Sequence, residues 1–243
     1  MVLARAHLEL SDKPKMATVL SEDALREVAS AAGVKDTDED CRLLHLTNLT
    51  PPLVFQANPR RCLRASAELG QAGLVASYMM MGATAPVAVA GALAQGLAEI
   101  MVGLALTLIY RPGAPVVGGI FATPFPMQFM GPIFGTPKSH LAQLACCQLV
   151  HRLGVPCRGD GLVTSSKIND AQVGYKGASA FAAPLTGGAD LILHAAGWLE
   201  SGRAIGIEKF NSEEAILEAQ LSNLHGRHSS GPSERRLWAA SCY

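Results

Sequence analysis

The densest run of side chains able to do chemistry is TSSKINDAQVGYKG, residues 164–177. Hydroxyls, amines, a carboxylate, amides and a phenol fall together there. If a helix starts near Asn169, Gln172 and Lys176 stand four apart and share one face, with Tyr175 beside them. Such a face can hold a polar or cationic small molecule. The same residues also suit plain helix capping, with Asn169 or Asp170 as the N-cap and Lys167 in water, and local chemistry favours that reading. Further polar or special positions are expected just beyond strand ends, at Thr84, Thr123, Ser165, Ser166, Gly197, Trp198 and Glu200. Other chemistries lack their signatures. There is no GxSxG, HExxH or phosphate-binding loop, and no GxGxxG follows a strand. The six cysteines contain no CxxC pair, and His194 ends a strand without a visible partner, so Cys–His catalysis has little support.

The elements that must position these residues are organised around 79–119. This stretch reads as the end of a buried strand, a turn, a long apolar helix and the start of the next strand. No charged residue occurs between Glu68 and Glu99. Glu99 is the one acid inside the apolar helix, where an unpaired carboxylate would be costly, so either it faces a polar cavity or the segment is not the buried helix it reads as. The patterning predicts strands near 43–47, 74–80, 115–121, within 155–166 and at 189–194. Helices are expected from the Ser21 cap to Gly33, from Asn58-Pro59 to Gly70, and over 86–110, 136–153, 169–186 and 212–224. In the fourth of these, Leu141, Leu144, Ala145, Leu149 and Leu153 form the expected apolar face. Strand–helix alternation implies an α/β fold with a parallel sheet of the (β/α) TIM-barrel type, its site in the loops after the strands. A closed barrel takes about 250 residues with modest loops. The expectation here is an incomplete barrel over 1–210, followed by a terminal helix and irregular tail over 211–243. An exposed apolar sheet edge would invite pairing with another chain, including a homo-oligomer. In the tail, His225 and His228 raise metal binding as a minor alternative to disorder.

Composition narrows the function classes. Twenty basic residues balance twenty acidic ones, which disfavours a general nucleic-acid or anionic-membrane binder. Charged residues are only 16% of the chain, against about a quarter in ordinary domains. The low charge raises a membrane alternative, since a spanning helix needs about 20 apolar residues and 86–110 is long enough. Pro86, the glycines and Glu99 weigh against it. With no signal peptide visible, the cysteines read as free thiols of a cytoplasmic protein.

Several motifs occur in a specific order: GATAPV at 82–87, GALAQ at 91–95, Ala98-Glu99, RPGAPVV at 111–117, DAQVGY at 170–175, GWLESG at 197–202 and Glu208-Lys209-Phe210. Together they resemble the trimethylamine methyltransferase family, whose members include corrinoid-dependent enzymes acting on trimethylamine, glycine betaine and related amines. The likeness runs from about Asn48 to Phe210, with Lys138 and Lys176-Gly177 departing from the family pattern. It implies a TIM-barrel enzyme that passes a methyl group to the Co(I) corrinoid of a separate carrier protein. It also implies longer members, so that an N-terminal part lies outside this chain. The sequence holds no pyrrolysine, which the trimethylamine-specific archaeal members carry, so a betaine-like donor is favoured.

Co(I) is a strong nucleophile, and a quaternary ammonium can lose a methyl group without a general acid. No side chain is therefore singled out as catalytic, and no protein-bound metal is implied. The resemblance directs the search for a donor pocket to Glu99, Gln172, Tyr175, Trp198 and Glu208. A carboxylate or an aromatic face suits a cation, the latter at about 2 kcal/mol when desolvated. Thr164, Ser165, Lys167 and Asp170 are assigned to the corrinoid. Gln172 and Tyr175 are expected to point into the cavity, with Glu99 within reach of it. The competing readings are a catalytically inactive barrel fragment and an integral membrane protein.

Overall fold

The computed structural model describes residues 2–11, 15–35, 40–225 and 238–240. In chain order the elements are α1 (Val2–Leu10), β1 (Lys15–Ala17), α2 (Glu22–Ala31), β2 (Leu43–Leu49), α3 (Ala57–Glu68), β3 (Ala72–Met81), α4 (Val89–Tyr110), β4 (Val116–Pro124), α5 (Pro137–Arg152), β5 (Arg158–Asp160), α6 (Ala171–Gly187), β6 (Leu191–Leu193), β7 (Trp198–Leu199), β8 (Ala204–Ile205), α7 (Ile207–His225) and β9 (Trp238–Ala240). Two compact units are present. One takes residues up to Tyr78 with Ala94–Ile120; the other takes Met79–Leu93 with the residues from Phe121 onward.

β1, β2, β3 and β4 lie side by side in that order. The first three run parallel, with Met16 opposite Leu44 and Leu46 opposite Leu74. β3 and β4 also run the same way. Gly73 N–H donates to the Pro115 carbonyl where both begin, and Phe125 N–H donates to the Met81 carbonyl where both end. Each crossover carries a helix, as parallel neighbours require. The pairing expected across the long apolar helix is therefore present.

In the first unit, Ser21 caps α2 by accepting from Ala24 N–H at 3.3 Å, with Glu22 and Asp23 in the first turn. The apolar stripe Leu25, Val28 and Ala29 then meets Ala17, Leu43, Cys62, Ala65 and Leu69 in one buried cluster. Burying one such leucine fully is worth about 2 kcal/mol. α3 starts at Ala57, so Pro59 sits at the third helical position rather than the first, where its missing N–H is still not needed. The glycines of α4 have a packing reason. A Cβ on Gly96 would lie 2.8 Å from Ile120, and one on Gly103 would lie 2.5 Å from Val75. Their absence lets the helix sit close on the sheet. The opposite side of α4 carries Met101, Val102, Leu108 and Ile109, all exposed, with Ile109 at 74%. Among the described residues α4 is the one helix long and apolar enough to cross a membrane, and 44% of that window is buried inside the protein.

In the second unit, α4 begins at Val89 rather than at residue 86. Three N–H groups, those of Ala83, Thr84 and Ala85, turn back onto the Met80 carbonyl, and Pro86 disfavours helical backbone before it. Thr136 caps α5 in a reciprocal pair with Ser139, and Pro137 opens the helix. The expected apolar face of α5 is corrected. Its buried residues are Ala142, Gln143, Cys146, Cys147 and Val150, while Leu141 and Leu153 are exposed. The small residues win because α5 lies against α6 at close range: a Cβ on Gly187 would lie 3.1 Å from Cys147.

β5, β6 and β9 form a parallel sheet, with Gly159 opposite Ile192 and Ile192 opposite Ala239. β7 and β8 pair antiparallel around a 3-10 turn at Glu200–Gly202. The strand expected within 155–166 shrinks to β5, because the backbone beyond it bonds elsewhere: Ser201 N–H donates to Thr164 O and Glu200 N–H to Ser166 O. Helix α7 starts at Ile207, ahead of the expected Ser212. Residues 226–237 and 241–243, with His228 and most of the expected irregular tail, lie outside the described residues. The described strands fall into sheets of four, three and two and do not close into a barrel.

Candidate functional site

The short strand β5 reads Arg158-Gly159-Asp160, so the two charged side chains project to the same face. Gly159 leaves space that a side chain could not use, since a Cβ there would lie 2.4 Å from Pro184. Parallel pairing sets Asp160 opposite Leu193, and the next residue, His194, turns out of β6 with φ of 56°. That turn brings its ring to Arg158. The Arg158 Nη2 donates to His194 Nδ1 at 3.1 Å, which leaves the proton of the neutral ring on Nε2. Arg158 Nη1 forms an ion pair with Asp160 Oδ1 at 2.6 Å. The guanidinium also lies 5.3 Å from the centre of the Phe121 ring.

Aromatic rings complete the cluster. Phe121 is 5.2 Å from Phe134 and 6.1 Å from His194, and Trp198 meets His194 edge-on at 4.9 Å. Arg158 is 2% exposed, while Phe121, Asp160, His194 and Trp198 are half-buried. Burial, aided by the Arg158 charge, pushes His194 down to about 3. Burial pushes Asp160 up to about 6 against the pull of Arg158. The cluster thus offers a fixed cation, a carboxylate beside it, a neutral imidazole and aromatic walls. Its arrangement suits binding and orienting a charged small molecule rather than proton transfer at neutral pH.

A second buried pair steadies these loops. Lys209 Nζ donates to the Leu162 carbonyl at 2.9 Å and pairs with Glu213 Oε1, while Glu213 Oε2 accepts from Gly197 N–H at 2.8 Å. Burial lowers the lysine and raises the glutamic acid. One ion pair therefore ties the loop after β5 to the loop after β6. Ser165 adds to this by accepting from Phe134 N–H at 2.9 Å and meeting Ser201 Oγ at 3.0 Å.

The predicted residues fall in several places. Trp198 belongs to the cluster. Gln172 and Tyr175 stand on the solvent side of α6, with Tyr175 at 77%, while Val173 and Gly177 take the buried side. They do not point inward, because the helix spends its buried face on small packing residues. Asp170 is the N-cap of α6, accepting from Val173 N–H at 3.0 Å, and Lys167 is exposed. Capping, the plainer of the two readings, describes this segment. Thr164 is buried, with its hydroxyl accepting from Ser166 N–H at 3.2 Å. Glu208 is exposed.

In the first unit, Glu99 is 5% exposed and fully occupied. Oε1 accepts from Leu53 N–H at 2.7 Å and Gln95 Nε2 at 3.0 Å, and Oε2 lies 2.5 Å from Ser77 Oγ. Glu99→Ala should cost about 2–4 kcal/mol by stranding these donors. Glu99→Gln should cost about 1 kcal/mol, since the Ser77 hydroxyl can turn to accept from the new amide. Equal losses for the two variants in urea titrations would refute this anchoring account.

Sequence reasoning missed Arg158, Asp160, Phe121, Lys209 and Glu213. The alternation of Arg158 and Asp160 on one strand face and the four-residue spacing of Lys209 and Glu213 were the available signals. Among the described residues no cluster of three or more His, Cys, Asp or Glu could hold a metal.

The titrating groups make stability depend on pH. Buried His45 is pushed down to about 4 by burial, as His194 is to about 3. Unfolding lets both take protons below about 6.5, so stability present above that pH is lost as pH falls. Asp160 acts in the opposite sense, since the folded state keeps its proton up to about 6, and its term loses stability as pH rises from about 4. Two histidines outweigh one carboxyl. The unfolding free energy should fall by on the order of 4 kcal/mol between pH 7 and 4, and His45→Leu should flatten the profile. An unchanged slope in that variant would contradict the assignment.

Comparison with known proteins decides the family. Residues 1–233 match the family model described as Trimethylamine methyltransferase (MTTB). The chain belongs to the trimethylamine methyltransferase family. Within it, the chain is 34% identical over 207 residues to a glycine betaine methyltransferase of Desulfitobacterium hafniense (strain Y51), covering 85% of this chain and 43% of that protein. It is 29% identical over 177 residues to a trimethylamine methyltransferase of Methanosarcina mazei, covering 73% of this chain and 36% of that protein. A proline betaine:corrinoid methyltransferase of Eubacterium limosum is 29% identical over 174 residues, covering 72% and 36%. The chain therefore spans less than half the length of these family members.

Proposed function

We propose that this chain is the (β/α) barrel-type part of a corrinoid-dependent methyltransferase. It moves a methyl group from a methylated or quaternary amine, trimethylamine or a betaine, to the Co(I) corrinoid of a carrier protein. The observation that carries this reading is the family match over nearly the whole chain, joined to relatives whose names specify amine donors and, in one case, corrinoid. The barrel assignment is supported by four strands in sequential order, parallel throughout, with a helix in every crossover.

The corrinoid, when bound, supplies the Co(I) nucleophile. This chain's residues bind, orient and desolvate the donor. Half-buried Phe121, His194 and Trp198 offer ring surface to methyl groups, and Asp160 offers charge to an ammonium. Of the residues assigned to the corrinoid, Lys167 keeps its ammonium in solvent and is suited to meet the carrier. Thr164, Ser165 and Asp170 already accept from Ser166, Phe134 and Val173.

The test mixes the purified chain, a Co(I) corrinoid and a panel of methylated amines, and follows methyl-Co(III) in the visible spectrum. Formation with at least one quaternary or tertiary amine is expected. Absence with every donor, in a chain that remains folded, would favour the inactive fragment instead.

A further inference from the structure

Three cysteines of the second unit come together where α5 meets β5. Cys146 and Cys147 stand in α5, and Cys157 immediately precedes β5; all three are free and buried at 0% exposure. The Cys157 thiol is hydrogen-bonded to the thiols of both Cys146 and Cys147. The backbone of Cys157 is anchored as well. Its N–H donates to Asp190 Oδ2 at 2.8 Å, and its carbonyl accepts from Asp190 N–H at 2.9 Å and from Leu191 N–H at 3.2 Å. Cys147 is held on its own side by α6, at the close approach of Gly187. The thiols thus meet from two elements that are each fixed by other contacts.

The three thiols are not equivalent. Hydrogen bonds from Cys157 and from Gln143 Nε2, the latter at 3.7 Å, hold the Cys147 thiol below its usual range despite burial. The bonds to Cys146 and Cys147, together with burial, push Cys157 up, so it keeps its proton and donates. Cys146 and Cys147 are neighbours on a regular helix, where successive side chains point about 100° apart, so the bond that forms must cross to Cys157. We propose that Cys147 and Cys157 form a reversible disulfide under peroxide, a redox lock that ties α5 to the residue next to Arg158. The Cys147 thiolate attacks one peroxide oxygen, the O–O bond breaks, water leaves, and Cys147 becomes a sulfenic acid. The Cys157 sulfur then attacks the Cys147 sulfur, forming S–S and breaking S–O, and its proton leaves with the hydroxide as a second water. Two thiols are oxidised by two electrons and one hydrogen peroxide is reduced. A dithiol reverses the bond by exchange. The thiols are buried, so the peroxide reaches them through local opening of α5.

The test uses the full chain with Cys41→Ser and Cys242→Ser, so that exposed Cys41 and the cysteine near the end of the chain cannot compete. The folded protein is treated with hydrogen peroxide, unfolded, alkylated and digested with trypsin. Cleavage after Arg152 and Arg158 puts Cys157 on a different peptide from Cys146 and Cys147. Mass spectrometry should find the two peptides linked, with Cys62 of the first unit still free, and dithiothreitol should release them. Cys157→Ser should abolish the link. Cys147→Ala, which keeps Cys157 and needs no new polar partner, should slow linkage by about tenfold or more. Free alkylation of Cys157 after peroxide overturns the proposal, as does its over-oxidation without a linked peptide. A link that forms equally fast in Cys147→Ala overturns the part assigned to Cys147. None of these readings involves methyl transfer, so they stand or fall apart from the methyltransferase reading.

Discussion

Replacing Lys209 by methionine is expected to destabilise the chain by about 3–5 kcal/mol, the usual consequence of removing one partner of a buried ion pair. The side chains of Lys209 and Glu213 are 0% and 1% exposed. Methionine fills the space but leaves the Glu213 carboxylate without its ammonium and the Leu162 carbonyl without a donor. Glu213 must then take up a proton or pull in water, and either change loosens its hold on Gly197 N–H. Equilibrium urea unfolding should show a lower midpoint at an unchanged slope. Lys209→Met with Glu213→Gln should recover part of the loss, because the stranded charge is gone. A loss below about 1 kcal/mol for Lys209→Met would mean that the pair is not buried as described.

Alanine at Gly161 is expected to be nearly as damaging, for a reason of space. Its Cβ would lie 2.2 Å from the His194 carbonyl oxygen and 2.7 Å from the Ala195 Cα. Both are backbone atoms, and no flexible chain end can give way. The loops after β5 and β6 must separate, which costs about 3 kcal/mol or more and parts His194 from Arg158. For a chain of this size the melting temperature should fall by roughly 6–12 °C. Gly154→Ala is the control: its φ is 72° with nothing within 4 Å, so it should cost only about 1–2 kcal/mol of backbone strain. If both variants melt together, the close approach at Gly161 is not what limits the substitution.

Local physics was readable where it acts over one turn or one strand. The Ser21 cap, the Thr136-Pro137 start and the capping role of Asp170 follow from short-range hydrogen bonding, and each is present. The strand either side of the long helix was readable because a short apolar run without alternation suits a strand covered on both faces. What could not be read depends on partners far apart in the chain. Glu99 announces itself as an acid in an apolar helix, but nothing local says that Leu53 N–H and Ser77 will saturate it. His194 looked solitary because Arg158 lies on another strand, and only the register of β5 with β6 joins them. The face of α5 was misjudged for a related reason. Hydropathy ranks leucine above cysteine and alanine, whereas close contact with α6 selects for small side chains.

The sequential order of β1 to β4 has a kinetic consequence. Every strand in that sheet pairs with the one made immediately before it, separated only by a single helix. No strand has to wait for a distant segment to arrive, so the loops closed during assembly stay short. A chain leaving the ribosome at about 5–20 residues per second can add each strand to an edge that already exists. The topology therefore lets the sheet be built in the order in which it is translated.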